Sequence, residues 1–140
     1  MVLMRKGLIA CIIDDDTIYQ FTMKAILTKM ACFKEIYIFN DGEEAIDYLS
    51  SHAQEPEKIP DMVLLDIDMP VLDGFQFMEQ YEILLPKLKK TATIYMSSSS
   101  LDPKDIVKAN KIENIKEYLI KPIEESKLAA MVKQIENTVK

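Results

Sequence analysis

Five short apolar runs, LIACII, EIYIF, MVLL, TIYM and EYLI, are separated by stretches in which apolar residues recur at helical spacing. A strand buried on both faces reads as a continuous apolar run, and sheets covered on both faces are parallel ones. Strands alternating with helices over short connections imply right-handed βαβ crossovers. The expected architecture is α/β: a doubly wound, five-stranded parallel sheet with five helices. Ligands bind such sheets in the crevice outside the carboxyl ends of their strands. Four of the runs end in Asp14-Asp15-Asp16, Asp66, Ser97 and Lys121. Carboxylates, a hydroxyl and an ammonium therefore converge on one edge.

The strands are expected at Leu8–Ile13, 35–39, 61–65, 92–96 and Ile115–Ile120. Asp16 or Thr17 can cap a first helix in which Ile18, Phe21, Ala25 and Ile26 keep helical spacing. A second helix over 43–52 puts Ala45, Ile46 and Leu49 on one side. Residues 53–60, punctuated by Pro56 and Pro60, read as a surface loop. MPVLDG at 69–74 is a turn, and Gly74 opens a third helix carrying Phe75, Met78 and Leu85 that stops near Pro86. Asp102-Pro103 starts a short helix containing Ile106, Val107 and Ala109. The last helix shows Leu128, Met131, Val132, Ile135 and Val139 at amphipathic spacing.

At 140 residues, 49% of them hydrophobic, the chain has the material for one core and reads as a single domain over 1–140 with no output domain. Its net charge of -6 argues against a direct nucleic-acid binder, which would normally show a basic stripe. Lys87, Lys89 and Lys90, the nearest candidate, read as the solvated end of a helix. Cys11 and Cys32 match no metal or redox spacing and read as reduced, structural thiols. No segment approaches the ~20 apolar residues that cross a bilayer, and basic residues before LIACII lack a cleavage site. The expected location is cytoplasmic, with no membrane partner.

Three consecutive carboxylates repel, and a divalent cation removes the conflict. Taken alone, the triplet is equally readable as a helix cap. Asp66 changes that balance: an ionisable group ending a buried run is expensive unless paired or near a metal. With strands 1 and 3 adjacent, Asp66 lies across the crevice from Asp14 and Asp15. A carboxylate so placed can attack phosphorus and form an aspartyl phosphate. Lys121 supplies a positive charge for a phosphoryl oxygen, and a cis Lys121–Pro122 bond would aim it over the sheet edge. Ser97 supplies a hydroxyl, though alone it reads as a turn residue. His52, the only histidine, reads as a solvated residue ending a surface helix.

IIDDD, LLDIDMPVLDG, MSSS and YLIKP fall in the order and spacing of the receiver domain of two-component response regulators, which the whole chain resembles. The resemblance implies the flavodoxin-like strand order 2-1-3-4-5 and a phosphorylation-controlled signalling switch, not an enzyme beyond slow autodephosphorylation. It implies Asp66 as phosphoacceptor, Asp15 as principal metal carboxylate and Asp14 as metal or outer ligand. The backbone carbonyl of Asp68 would complete a site for Mg²⁺ (or Mn²⁺). Ser97 and Tyr118 would be the switch pair and Lys121 the phosphoryl-binding lysine. The implied partners are a sensor histidine kinase or histidine phosphotransfer protein, a downstream protein target and, through the strand 4 to strand 5 face, a phosphorylation-dependent homodimer. An end-point regulator and a phosphorelay carrier are both compatible with it. Three features depart from the commonest pattern: the Asp68 carboxyl two residues after the acceptor, the expected lack of an output domain after the fifth helix, and the serine run 97–100. Asp66-Ile67-Asp68 also resembles the DxD start of haloacid-dehalogenase-like phosphatases, but that motif usually opens a chain, and the later acidic pair is missing. A receiver that only binds partners is a third class, to which the filled acceptor, metal and lysine positions give no support.

Overall fold

The computed structural model describes residues 7–138. Five parallel strands, β1 (Leu8–Ile13), β2 (Phe33–Phe39), β3 (Met62–Asp66), β4 (Thr93–Ser98) and β5 (Ile115–Ile120), form one sheet in the order β2-β1-β3-β4-β5. Helices α1 (Thr17–Lys29), α2 (Gly42–Ser51), α3 (Gly74–Leu84), α4 (Pro103–Asn110) and α5 (Glu125–Thr138) follow the strands in turn. Strands β1 and β3, interior to the sheet, are buried at every residue, whereas the edge strands β2 and β5 are mixed. Continuous apolar runs therefore mark the strands covered on both faces.

Two apolar clusters lie on opposite sides of the sheet. One joins Ile13, Val63, Leu65 and Met96 to Leu49, Phe77, Met78 and Tyr81. The other joins Ile12, Leu64 and Tyr95 to Met23, Leu27, Leu128, Met131 and Ile135. Each such side chain taken from water contributes about 1.5–3 kcal/mol before the entropy of ordering it.

Local signals set the helix starts. Asp16, not Thr17, caps α1 by accepting from the amides of Ile18 and Tyr19 at 3.0 and 3.2 Å. Asp41 caps α2, Asp102 caps α4, and Asp73 with Gln76 forms a reciprocal capping box on α3. Gly74 is required by close approach: a Cβ there would stand 2.7 Å from the carbonyl oxygen of Asp66.

Several expectations are corrected. Spacing located α1, but its inward face is Gln20, Met23 and Leu27; Ile18 and Phe21 are 77% and 76% exposed, and Ala25 is exposed too. Helix α1 carries apolar residues all round, so periodicity alone could not fix its rotation. The segment 53–60 is not simply a surface loop: it holds a 3-10 turn at Pro56–Lys58, and Ala53, Ile59 and Pro60 are buried. Strand β2 begins two residues earlier than expected, at Phe33, and β4 runs on through Ser97 and Ser98. Lys90 is not a solvated charge: its Nζ lies 2.8 Å from the buried Asp61 carboxylate, which also accepts from the amide of Ile9 at 2.8 Å. His52 is half-buried against Tyr48, and its Nδ1 lies 2.9 Å from Glu55 Oε1. Val139 lies outside the described residues. Cys11 and Cys32 are buried free thiols. No described helix is long and apolar enough to cross a membrane.

Candidate functional site

The carboxyl ends of β1, β3, β4 and β5 bring the polar groups together. Asp14 directly follows β1 and is 1% exposed. Its amide donates to the Phe39 carbonyl at 3.1 Å, and its Oδ1 accepts from the Asp16 amide at 2.9 Å. Asp15 is exposed, and Asp16 serves as the α1 cap. Asp66 is the last residue of β3 and stands in register with Ser97 on β4. One residue beyond that pair, the Ile67 amide donates to the Ser97 carbonyl at 3.0 Å.

Lys121 leaves β5 with its amide bonded to the Ser98 carbonyl at 2.9 Å, and its bond to Pro122 is cis. Its Nζ donates to Asp14 Oδ2 at 2.5 Å and to Asp66 Oδ1 at 3.0 Å. One ammonium thus spans β1 and β3. Burial works against its charge, but the two carboxylates outweigh that and hold its pKa above the ordinary value. The pKa of Asp66 is raised too, which for an acid disfavours the charged form. Desolvation, then the Asp14 carboxylate, push its pKa up to about 6, although Lys121 pulls it down.

Carboxylate oxygens of Asp14, Asp15 and Asp66 lie within 4.8 Å of one another. Three carboxylates against one ammonium leave an excess of negative charge in a partly dry site. The donors are all hard oxygens, the set that suits Mg²⁺ or Mn²⁺ and not a thiophilic ion. The residues therefore fit the cation. Asp68, two positions on, has an exposed side chain whose charge is felt at Asp66.

Of the serine run, Ser97 and Ser98 are buried while Ser99 and Ser100 are exposed. Ser98 Oγ is occupied, accepting from the Ser100 amide at 3.1 Å. Ser97 Oγ is buried without a hydrogen-bond partner among the described residues. Its place opposite Asp66 and its free hydroxyl distinguish it from its neighbours. Tyr118, two residues ahead of the strand end, is half-buried against the cluster that holds Ala109, and its hydroxyl is likewise unpartnered.

Two site residues escaped the sequence reading. Gln20 Nε2 donates to the Asp14 carbonyl at 2.5 Å and to Asn40 Oδ1 at 2.9 Å, tying α1 and the end of β2 to the acidic loop. The Tyr19 ring lies under Lys121, with Nζ 4.2 Å from its centroid. A signal existed: Met23 and Leu27 are four apart, and stepping back three or four residues reaches Gln20 and Tyr19. Ile18 and Phe21 drew attention to the opposite face.

The family described as response regulator receiver domain matches residues 10–133. The chain is similar to a two-component response regulator of Cytophaga hutchinsonii, with 27% identity, 95% of this chain and 99% of that one covered, and a TM-score of 0.83. It is similar to a response regulator receiver protein of Dyadobacter fermentans at 32% identity, covering 92% and 98%, with a TM-score of 0.78. Among curated relatives, the probable methanogenesis regulatory protein FilR2 of Methanothrix harundinacea is 25% identical over 91% of this chain and 80% of its own length. The chain spans 48% or less of the other curated relatives it matches.

Proposed function

Because this chain belongs to the response regulator receiver domain family, we propose that it is a signalling switch that accepts a phosphoryl group on Asp66. One observation carries the reading: the oxygens of Asp14, Asp15 and Asp66 cluster within 4.8 Å, with the Lys121 ammonium bonded to the acceptor. A phosphohistidine on a sensor kinase or phosphotransfer protein is the donor. A carboxylate oxygen of Asp66 attacks phosphorus, the P–N bond breaks as the P–O bond forms, and the departing imidazole takes a proton from solvent.

Asp15, Asp66, the backbone carbonyl of Asp68 and Asp14 would hold Mg²⁺, which would supply charge neutralisation on the transferred group. Lys121 is already 3.0 Å from Asp66 and has only to exchange Asp14 for a phosphoryl oxygen. Ser97 donates its free hydroxyl to another. Its movement opens space for the Tyr118 ring, which shifts an existing equilibrium on the surface formed by α4 and β5. Moving a two-state equilibrium from mostly one side to mostly the other takes about 5.5 kcal/mol, within reach of several charge-assisted hydrogen bonds. Val107 is 54% exposed on that surface, beside Lys104 and Lys108, and is available to a downstream target or a second copy. The group leaves only by slow hydrolysis, so no turnover on free phosphate esters is expected.

Intact mass after incubation with Mg²⁺ and acetyl phosphate tests this. One labile phosphoryl adduct on the wild type and none on Asp66→Asn is the expected result. Steady phosphate release from an ester, or an adduct that survives in Asp66→Asn, overturns it.

A further inference from the structure

Two buried hydroxyls at this site, Tyr19 Oη and Ser97 Oγ, have no hydrogen-bond partner among the described residues. Ser97 is near enough to act on Tyr19 as a side-chain hydrogen-bonding neighbour, lowering its pKa against a larger upward push from burial and then from Asp14. Yet the pair does not meet ordinary hydrogen-bond geometry. A buried hydroxyl without a partner is costly, and a phenylalanine would fill the same volume without that cost. The ring of Tyr19 has a separate contact, with Lys121 Nζ 4.2 Å from its centroid. The same ammonium bonds Asp14 and Asp66.

We propose that Tyr19 is a positioning residue for phosphoryl transfer, its ring holding the Lys121 ammonium and its hydroxyl completing a chain through Ser97 to the phosphoryl group. This rests on Asp66 being the acceptor. The ring face attracts the ammonium and keeps water from one side of it. Lys121 can then pass from Asp14 to a phosphoryl oxygen along a short arc without leaving the site. Ser97 has one proton, which goes to the phosphoryl oxygen. Its lone pairs are then free to accept from Tyr19 Oη–H, and the two bonds polarise one another. No proton changes owner. The chain gives both orphan hydroxyls a partner in the phosphorylated state.

Two variants separate the parts. Tyr19→Phe keeps the ring and removes the hydroxyl; Tyr19→Leu removes both. The aromatic ring current shifts the Lys121 Cε protons upfield in the NMR spectrum, a signature independent of Mg²⁺ and of phosphorylation. The shift is expected to persist in Tyr19→Phe and vanish in Tyr19→Leu. Tyr19→Leu is expected to take up phosphoryl groups from acetyl phosphate and Mg²⁺ about tenfold more slowly than the wild type. Tyr19→Phe is expected to bind beryllofluoride, a phosphoryl mimic, about fivefold more weakly with Mg²⁺ present. If Tyr19→Leu matches the wild-type uptake rate, or Tyr19→Phe the wild-type beryllofluoride affinity, the inference fails in that part. Should Tyr19→Leu not fold, the Tyr19→Phe affinity and the wild-type proton shift decide alone. A wild type that takes up no phosphoryl group at all instead overturns the assignment of Asp66.

Discussion

Lys121 Nζ lies 3.0 Å from Asp66 Oδ1, across 55 residues of chain and one intervening strand of the sheet, β4. The bond joins the end of β5 to the end of β3 through the interior edge of the site, where both side chains are largely screened from water (14% and 8% exposed). It gives the acceptor a counter-charge before any phosphoryl group arrives.

Removing that counter-charge leaves Asp14 and Asp66 facing one another. Lys121→Met is expected to destabilise the Mg²⁺-free protein by about 3 kcal/mol near pH 8, since breaking a buried pair strands a charge. Urea unfolding measures it. A midpoint unchanged from wild type would mean that the pair contributes nothing to the resting fold.

The raised pKa of Asp66, about 6 against an ordinary 3.8, has a definite sign in stability. The folded state binds this proton more tightly than the unfolded state. The contribution is fully present below about pH 4 and is lost as pH rises through about 6. Comparing wild type with Asp66→Asn in chelator isolates the group from other carboxylates. The asparagine variant should gain on wild type as pH rises across that window, and Mg²⁺ should restore the wild type above it. A constant difference at all pH values would contradict the shift.

Gly74 sits where an added Cβ would meet the Asp66 carbonyl oxygen at 2.7 Å and the Ile67 Cα at 3.0 Å. Both neighbours are backbone and yield only if the end of β3 moves. Gly74→Ala is expected to cost about 1–3 kcal/mol in stability and to slow phosphoryl uptake on Asp66, read together by thermal unfolding and intact mass. Loss of stability with wild-type uptake would show that the clash is absorbed by α3 instead.

Val71 is 68% exposed with φ of 69°, a left-handed conformation that a β-branched side chain tolerates poorly. Val71→Gly should raise stability by about 1 kcal/mol, because strain relief exceeds the entropy that glycine adds to the unfolded chain. A lower urea midpoint for the variant would refute this.

Much of the fold was legible because its signals are local. Strand β5 falls at Ile115–Ile120, as its apolar run predicts, and β1 at Leu8–Ile13. Asp16 and Asp102 cap helices because a short carboxylate meets free amides two or three residues ahead. Alternation and crossover handedness implied a parallel sheet covered on both faces, whereas the strand order came from the family resemblance and the structure bears it out. The rotation of α1 was not legible, because Ile18 and Phe21 keep the same period as the true inward residues.

What the sequence alone determined is the inventory and its edge: Asp14, Asp15, Asp66, Ser97 and Lys121 each lie within two residues of a strand's carboxyl end, and parallel strands put those ends together. Pairing within that edge was decided by tertiary structure. Only the packed sheet sets Asp66 against Ser97, shares Lys121 between two carboxylates, lays Tyr19 beneath it and hands the Asp14 carbonyl to Gln20. The physical reason is range. Caps and strand ends depend on neighbours a few residues away, whereas the partner of a buried charge or hydroxyl is whichever group, however distant in the chain, packing brings within about 3 Å.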